Sequence, residues 1–199
     1  MTADELIAFE QEIAGLYEAG LIKAPVHLSG GSEAQLIDIF KGIKPEDWVL
    51  SSWRNHYHAL LHGLPPNELK RQILAGRSMF INDAERRFYA SSIVGGTLPI
   101  AVGLAMAIRR KGEDRKVWCF VGDMTSETGA FYEAQKYAFN FKLPVTFVIE
   151  DNSKSVLTET RAAWGGRDLT HPVSAWDNVI RYEYELTWPH SGVGKWVAF

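Results

Sequence analysis

Two apolar runs near the middle of the chain each end in a polar turn. Val117-Trp118-Cys119-Phe120-Val121 leads into Gly122-Asp123-Met124, and Val145-Thr146-Phe147-Val148-Ile149 leads into Glu150-Asp151-Asn152. Each run has the length and the β-branched and aromatic content of a buried strand. The segment between them, Gly129 to Phe141, reads as a helix. Strand, helix, strand at this spacing is a crossover unit, which makes the strands parallel and puts both carboxyl ends on one edge of a sheet. Asp123 and Asn152 then stand just past two strand ends and converge on one point. A carboxylate and an amide oxygen are hard ligands suited to Mg2+, which keeps phosphate oxygens in its shell. The unit predicts a metal-diphosphate site at the carboxyl edge of a doubly wound parallel α/β sheet. The plainer reading of both residues is that Asp and Asn are common in turns after strands.

The rest of the chain fits the same layered plan. Leu6, Ile7, Ile13, Leu16 and Tyr17 form a helical stripe over Ala3 to Gly20, with the glycine as stop. Ser32 to Gly42 reads as a second helix and Trp48-Val49-Leu50 as a short strand. Pro66 to Gly76 reads as a helix with proline in its first turn, where the missing N–H costs nothing. Arg77 to Ser91 looks irregular. Thr97 to Arg110 is rich in apolar and small residues, a buried helix ending near Gly112. Beyond Gly165-Gly166 the pattern changes: Val179 to Tyr184 alternates like a strand, and Lys195 to Phe199 reads as a last short one. Strands alternating with helices imply a mostly parallel sheet with late antiparallel additions.

With 199 residues, 46% of them hydrophobic and 23% charged, the chain suits one globular domain spanning 1–199. A net charge of −3 gives no electrostatic reason to expect nucleic acid or an anionic membrane as partner. The single cysteine, Cys119, lies inside a strand run and reads as a core thiol. No targeting segment or long apolar run is evident, so the cytoplasm is the default location. Seven tryptophans and seven tyrosines are many for this length, and some are expected at a subunit interface.

Gly122-Asp123 followed by Asn152 resembles the thiamine diphosphate signature, which begins Gly-Asp-Gly and ends Asn-Asn. The surrounding sequence is similar to the alpha subunit of the 2-oxo acid dehydrogenase decarboxylases, the pyruvate dehydrogenase type. Further blocks match in order: His27-Leu28-Ser29-Gly30-Gly31-Ser32-Glu33-Ala34, Ser52-Trp53-Arg54-Asn55-His56, Ile93-Val94-Gly95-Gly96 and Leu143-Pro144-Val145. Collinear blocks over residues 5 to 160 are far more specific than one motif. The resemblance implies the diphosphate-binding domain of the thiamine diphosphate fold.

It also implies roles. Asp123 and Asn152 would bind Mg2+, with the Lys154 carbonyl as a third ligand. Trp53 and Arg54 match a Tyr-Arg pair that holds the diphosphate; a guanidinium suits phosphate oxygens bidentately. Gly122, Thr125 and Val94 would border the cofactor, Val94 against its rings, and Ser92 stands where the family commonly has glycine. Met124 departs from the family's glycine beside the diphosphate, and Asp151 from its usual asparagine. Thr125 and Ser126 are placed to cap the next helix. His27 would lie on the substrate side and His56 would face the cofactor. His58 and His62 read as helix or interface residues, since spacings of two and six make no helical zinc site. His190, after Arg181-Tyr182-Glu183-Tyr184, faintly resembles a catalytic loop histidine; an exposed loop residue is the plainer reading.

Thiamine diphosphate chemistry also needs a glutamate at the aminopyrimidine ring. In the family it comes from a beta subunit, and nothing in this chain matches that second domain. Half an active site is therefore expected, completed in a heterotetramer. The chain reads as a compact alpha subunit, a truncated one being the alternative. Without the family's later loops, transfer to lipoamide is doubtful, and carboligation or ketol transfer becomes plausible. Two rival readings are a split transketolase and a degenerate scaffold subunit. A Rossmann dehydrogenase is a weak third, since no Gly-x-Gly-x-x-Gly follows a strand.

Overall fold

A computed structural model of the chain describes residues 1–163, 165 and 177–197. The apolar runs become strands and the periodic segments become helices. Helices α1 (Ala3–Glu18) and α2 (Glu33–Phe40) precede strand β1 (Trp48–Ser51), followed by α3 (His56–Leu61) and α4 (Pro66–Gln72). A widened turn at Ile73–Arg77 leads to β2 (Asn82–Asp83) and β3 (Phe88–Ala90). Then come α5 (Thr97–Lys111), β4 (Val117–Gly122), the single turn α6 (Asp123–Ser126), α7 (Gly129–Asn140) and β5 (Val145–Asp151). A small hairpin, β6 (Lys154–Ser155) with β7 (Thr158–Glu159), is followed by α8 (Thr160–Ala163) and β8 (Val179–Glu183).

The main sheet has the order β2-β3-β1-β4-β5-β8. All neighbours in it are parallel except β2 and β3. Strand β1 lies between β3 and β4, so the chain leaves it first to one side and then to the other. That is a topological switch point, where an open parallel sheet leaves a crevice at its carboxyl edge. Side chains alternate across the sheet. Val117, Cys119 and Val121 of β4 pack with Phe147 and Ile149 of β5 against α5 and α7. Trp118, Phe120 and Val148 face the opposite layer with α1 to α4. Cys119 is a buried core thiol, as expected, and burial pushes its pKa up to about 12.

Local signals account for several boundaries. Thr2 and Glu5 close a reciprocal capping box on α1. Gly112, at φ 65°, supplies the left-handed stop of α5. Asp47 accepts from the Lys44 and Lys116 N–H groups and from the Trp118 indole, which ties the entry of β1 to β4.

Four expectations are corrected. Residues 77–91 are not irregular: Phe88 and Ala90 point into the core and form β3, a strand too short to show a period. Strand β8 joins β5 in parallel; in the main sheet the antiparallel pair is β2–β3 at the opposite edge, and the late antiparallel hairpin β6–β7 stands apart from that sheet. Residues 195–197 form no strand, and 198–199 lie outside the described residues. The cap of α7 is Thr128, whose hydroxyl accepts from the Phe131 N–H; the Ser126 hydroxyl instead donates back to the Asp123 carbonyl.

Candidate functional site

The ends of β1, β4 and β5 supply a common cleft at the carboxyl edge. Trp53 and Arg54 come from the β1 exit, Gly122, Asp123, Met124 and Thr125 from the β4 exit, and Glu150, Asn152 and Lys154 from the β5 exit. Val94 reaches it from the loop before α5, and Tyr184 and His190 from the segment after β8.

Asp123 is nearly enclosed, and the Thr160 hydroxyl donates to its Oδ2 at 2.6 Å. Burial raises its carboxyl pKa from 3.8 to about 6, with the Asp151 charge pushing the same way and the Thr160 bond opposing. Asn152 Oδ1 accepts the Lys154 N–H at 3.0 Å, and its amide nitrogen lies 3.4 Å from the Tyr184 hydroxyl. Asp151, the neighbour that departs from the family's asparagine, is used structurally. Its carboxylate takes Arg181 as ion partner and caps the Ser153 N–H at 2.9 Å.

Arg54 donates to the His190 carbonyl at 3.2 Å, yet its buried Nε–H has no acceptor among the described residues. Burial lowers its pKa, with nearby Tyr184 and Glu150 opposing. A guanidinium keeps its charge regardless. A buried cation with an idle donor at a cleft wall calls for an anion. Hard oxygens from Asp123 and Asn152 on the same cleft suit a magnesium-type ion. The residues present therefore fit a metal-bound diphosphate. Among the described residues no group of three His, Cys, Asp or Glu side chains is arranged around a metal; the expected set holds only one carboxylate.

A second pole is made of rings, of which Trp53 and His190 line the cleft while His27 sits behind them and does not. His27 Nε2 lies 3.3 Å from His190 Nε2, the rings meet edge-to-face, and Trp53 stands beside both. His190 is thus not a free loop residue. Burial, then the positive Arg54, then His190 hold the His27 pKa down at about 3; burial and Arg54 lower His190 as well. Both imidazoles are neutral at pH 7, one donating and the other accepting.

The lowered His27 value predicts a pH effect. Between about 3 and 6.5 the unfolded chain carries a proton that the folded chain refuses, so stability falls as pH drops through that window. Urea unfolding at about pH 7 and about pH 5 should show the loss, and His27→Gln should shrink it.

The ring pole depends on a close packing of distant segments. The chain after β8 returns across the His27 block, where the Gly192 N–H donates to the Val26 carbonyl at 2.8 Å. Gly31 has φ 88°, and a Cβ there would stand 1.8 Å from the Glu185 carbonyl oxygen. Gly31→Ala should therefore lift residues 185–190 off the domain. Loss of the His27–His190 contact in imidazole NMR spectra would register it.

The structure separates the remaining expected residues. His56 does not face the cleft. It is fully buried, bonded through Nδ1 to Glu10 and through Nε2 to Ser78 Oγ at 2.9 Å. Glu10, His56 and Ser78 are each 0% exposed, so this serine-histidine-acid chain admits no substrate. Ser92 borders a separate groove beside Glu68 and Arg77, because the turn stabilised by the Ser91 hydroxyl aims Val94, not Ser92, at the cleft. His58 is a helix residue, the first of its two expected readings, and lies buried in α3. Sequence reasoning missed Glu150, Thr160 and Tyr184 as cleft or supporting residues. Position offered one signal, since Glu150 is part of the polar turn that ends β5.

These features define a class: a mostly parallel α/β protein with a cleft at its carboxyl edge lined by Arg54, Asp123 and Asn152. The family model described as "Dehydrogenase E1 component" matches residues 1–172. The chain belongs to that family. Among curated relatives, the pyruvate dehydrogenase E1 component subunit alpha of Rickettsia bellii is 32% identical over 171 residues, covering 81% of this chain and 52% of the relative. Its counterpart in Porphyra purpurea is 31% identical, covering 74% and 48%. That of Zymomonas mobilis is 31% identical, covering 78% and 47%. The chain thus spans about half the length of the curated relatives it matches.

Proposed function

We propose that the chain is a single diphosphate-binding domain acting as the alpha component of a thiamine diphosphate- and Mg2+-dependent enzyme for 2-oxo acids. One observation carries this reading: the Arg54 guanidinium, whose Nε–H has no acceptor among the described residues, the Asp123 carboxylate and the Asn152 amide border one cleft. Asp123, Asn152 and the Lys154 carbonyl would hold the ion. Arg54 and Trp53 would hold the phosphates, and Gly122, Met124 and Thr125 would form the floor. Bound thiamine diphosphate supplies an electron sink for breaking or making a carbon-carbon bond beside a carbonyl. Val94 would border its apolar part. His190, uncharged because burial and Arg54 lower its pKa, would offer a hydrogen-bonding ring to substrate oxygen, with His27 behind it holding its orientation.

The pyrimidine half of the site would come from a beta chain, in a cytoplasmic heterotetramer. Val94 is 56% exposed and Val156 is 51% exposed where they line the cleft, apolar surface of the kind a partner covers. No helix among the described residues is long and apolar enough to cross a membrane. Met124 on the cleft wall favours one second reading, a degenerate scaffold subunit.

Calorimetric titration of thiamine diphosphate, with and without Mg2+, on the chain alone and co-expressed with a beta chain of the same family tests the proposal. Metal-dependent heat and release of CO2 from a 2-oxo acid are expected. Heat with turnover only of a ketose phosphate would indicate the split transketolase. No heat in any arm would leave the scaffold.

A further inference from the structure

The cleft's two anchoring loops are joined beneath its floor. Ser51 closes β1, three residues before Arg54, and Glu150 lies two residues before Asn152 at the end of β5. These strands are not neighbours, because β4 runs between them. The ladder between β1 and β4 ends at Leu50 and Cys119; the β1 exit is paired only toward the other edge, where Ser51 registers with Ala90 of β3 and its carbonyl accepts the Ser91 N–H, so among the described residues no backbone pairing ties it toward β4 and β5. His58 of α3 spans the gap. Its ring lies on Phe120 of β4, with centroids 4.3 Å apart. Its Nδ1 is 2.9 Å from Ser51 Oγ and its Nε2 is 3.1 Å from Glu150 Oε1. The Tyr182 hydroxyl of β8 donates to the same oxygen at 2.5 Å. The tautomer that satisfies every donor has the Ser51 hydroxyl donating to Nδ1 and the Nε2–H donating to the carboxylate.

We propose that Ser51, His58, Glu150 and Tyr182 form a buried strap that sets the distance between Arg54 and Asn152, making His58 and Glu150 positioning residues for the diphosphate cleft. Three observations converge on this. The strap crosses the carboxyl edge from β1 to β8 in one connected chain of hydrogen bonds. His58 is 1% exposed and Ser51 0% exposed, so water does not compete for the bonds. The two ends of the strap lead directly into the two loops whose spacing a bridging anion and its metal would sense. Partners of this kind, one shell behind the ligand, orient the groups that bind.

The inference rests on reading the cleft as a diphosphate site, and its test separates the two. In the first arm, inorganic pyrophosphate with Mg2+ is titrated into the full chain. His58→Phe keeps the ring on Phe120 and removes both bonds, and Ser51→Ala is the milder variant. Glu150→Leu removes the acceptor, while Glu150→Gln keeps an oxygen without the charge. If Glu150 acted only as a negative charge near the anion, both Glu150 variants would bind more tightly. The strap predicts instead that His58→Phe and Glu150→Leu weaken binding by about tenfold to a hundredfold, while Glu150→Gln retains it.

The second arm needs no ligand. Amide hydrogen exchange in His58→Phe and Ser51→Ala should speed up at residues 52–55 and 152–154, with α5 and α7 unchanged. Wild-type binding by His58→Phe, tighter binding by Glu150→Leu, or unchanged exchange in both loops overturns the strap. Absence of pyrophosphate binding by the wild-type chain overturns the diphosphate reading alone, and the exchange arm still decides the strap.

Discussion

Asp123→Asn should remove the Mg2+-dependent part of thiamine diphosphate binding while leaving the fold intact. Asparagine keeps an oxygen for the Thr160 hydroxyl but withdraws the only carboxylate in the proposed metal set. Affinity measured with Mg2+ should fall by at least about a hundredfold, more than loss of an outer partner costs. Affinity without Mg2+ should hardly change, because Arg54 remains. Stability should hold or rise, since the variant no longer forces a charge into a buried position. Retained metal dependence in Asp123→Asn would remove Asp123 from the site.

The raised Asp123 pKa adds a pH signature with opposite signs for folding and for binding. Between about 4 and 6 the folded chain holds a proton that the unfolded chain has released. This favours folding at low pH, and the contribution is lost as pH rises through 6. Cation binding runs the other way, because it needs the ionised form. Mg2+-dependent affinity should therefore weaken as pH falls through about 6, and that slope should vanish in Asp123→Asn.

The largest loss of stability is expected far from the cleft, in Glu10→Ala. The Glu10 carboxylate accepts the Ser29 N–H at 2.7 Å and His56 Nδ1 at 3.0 Å in a fully buried setting. Truncation leaves both donors buried and unpaired, a cost of roughly 3 kcal/mol. For a chain of this size the melting temperature should fall by about 10 °C. Ser29 lies two residues beyond His27, so the ring pole should loosen together with the core. A melting temperature within about 2 °C of wild type would show that the pair is dispensable.

How legible these features are in the residue order follows from where each partner sits. The central strands are plain because β4 and β5 are buried on both faces and read as unbroken apolar runs. Asp123 and Asn152 follow those runs directly, so the parallel sheet brings both to one cleft without further information. Short strands such as β3 are hidden, since three residues carry no measurable period. The ring pole is hidden for a different reason. His27 and His190 are 163 positions apart, and their contact depends on glycines whose missing side chains admit a returning segment. His56 misleads because its place beside Arg54 suggests the cleft, while the first turn of α3 directs it to Glu10. That acid sits on α1, and no local pattern ties the two.

The return of residues 185–192 over Gly30 and Gly31 has a consequence for biosynthesis. Residues 123 and 152 can meet soon after the crossover unit leaves the ribosome. The wall bearing His190 must wait for 38 more positions of synthesis after Asn152. At translation speeds of roughly 5–20 residues per second, that delay is on the order of two to eight seconds. A nascent chain would thus bring its proposed ion-binding pair together several seconds before it had a finished reaction chamber.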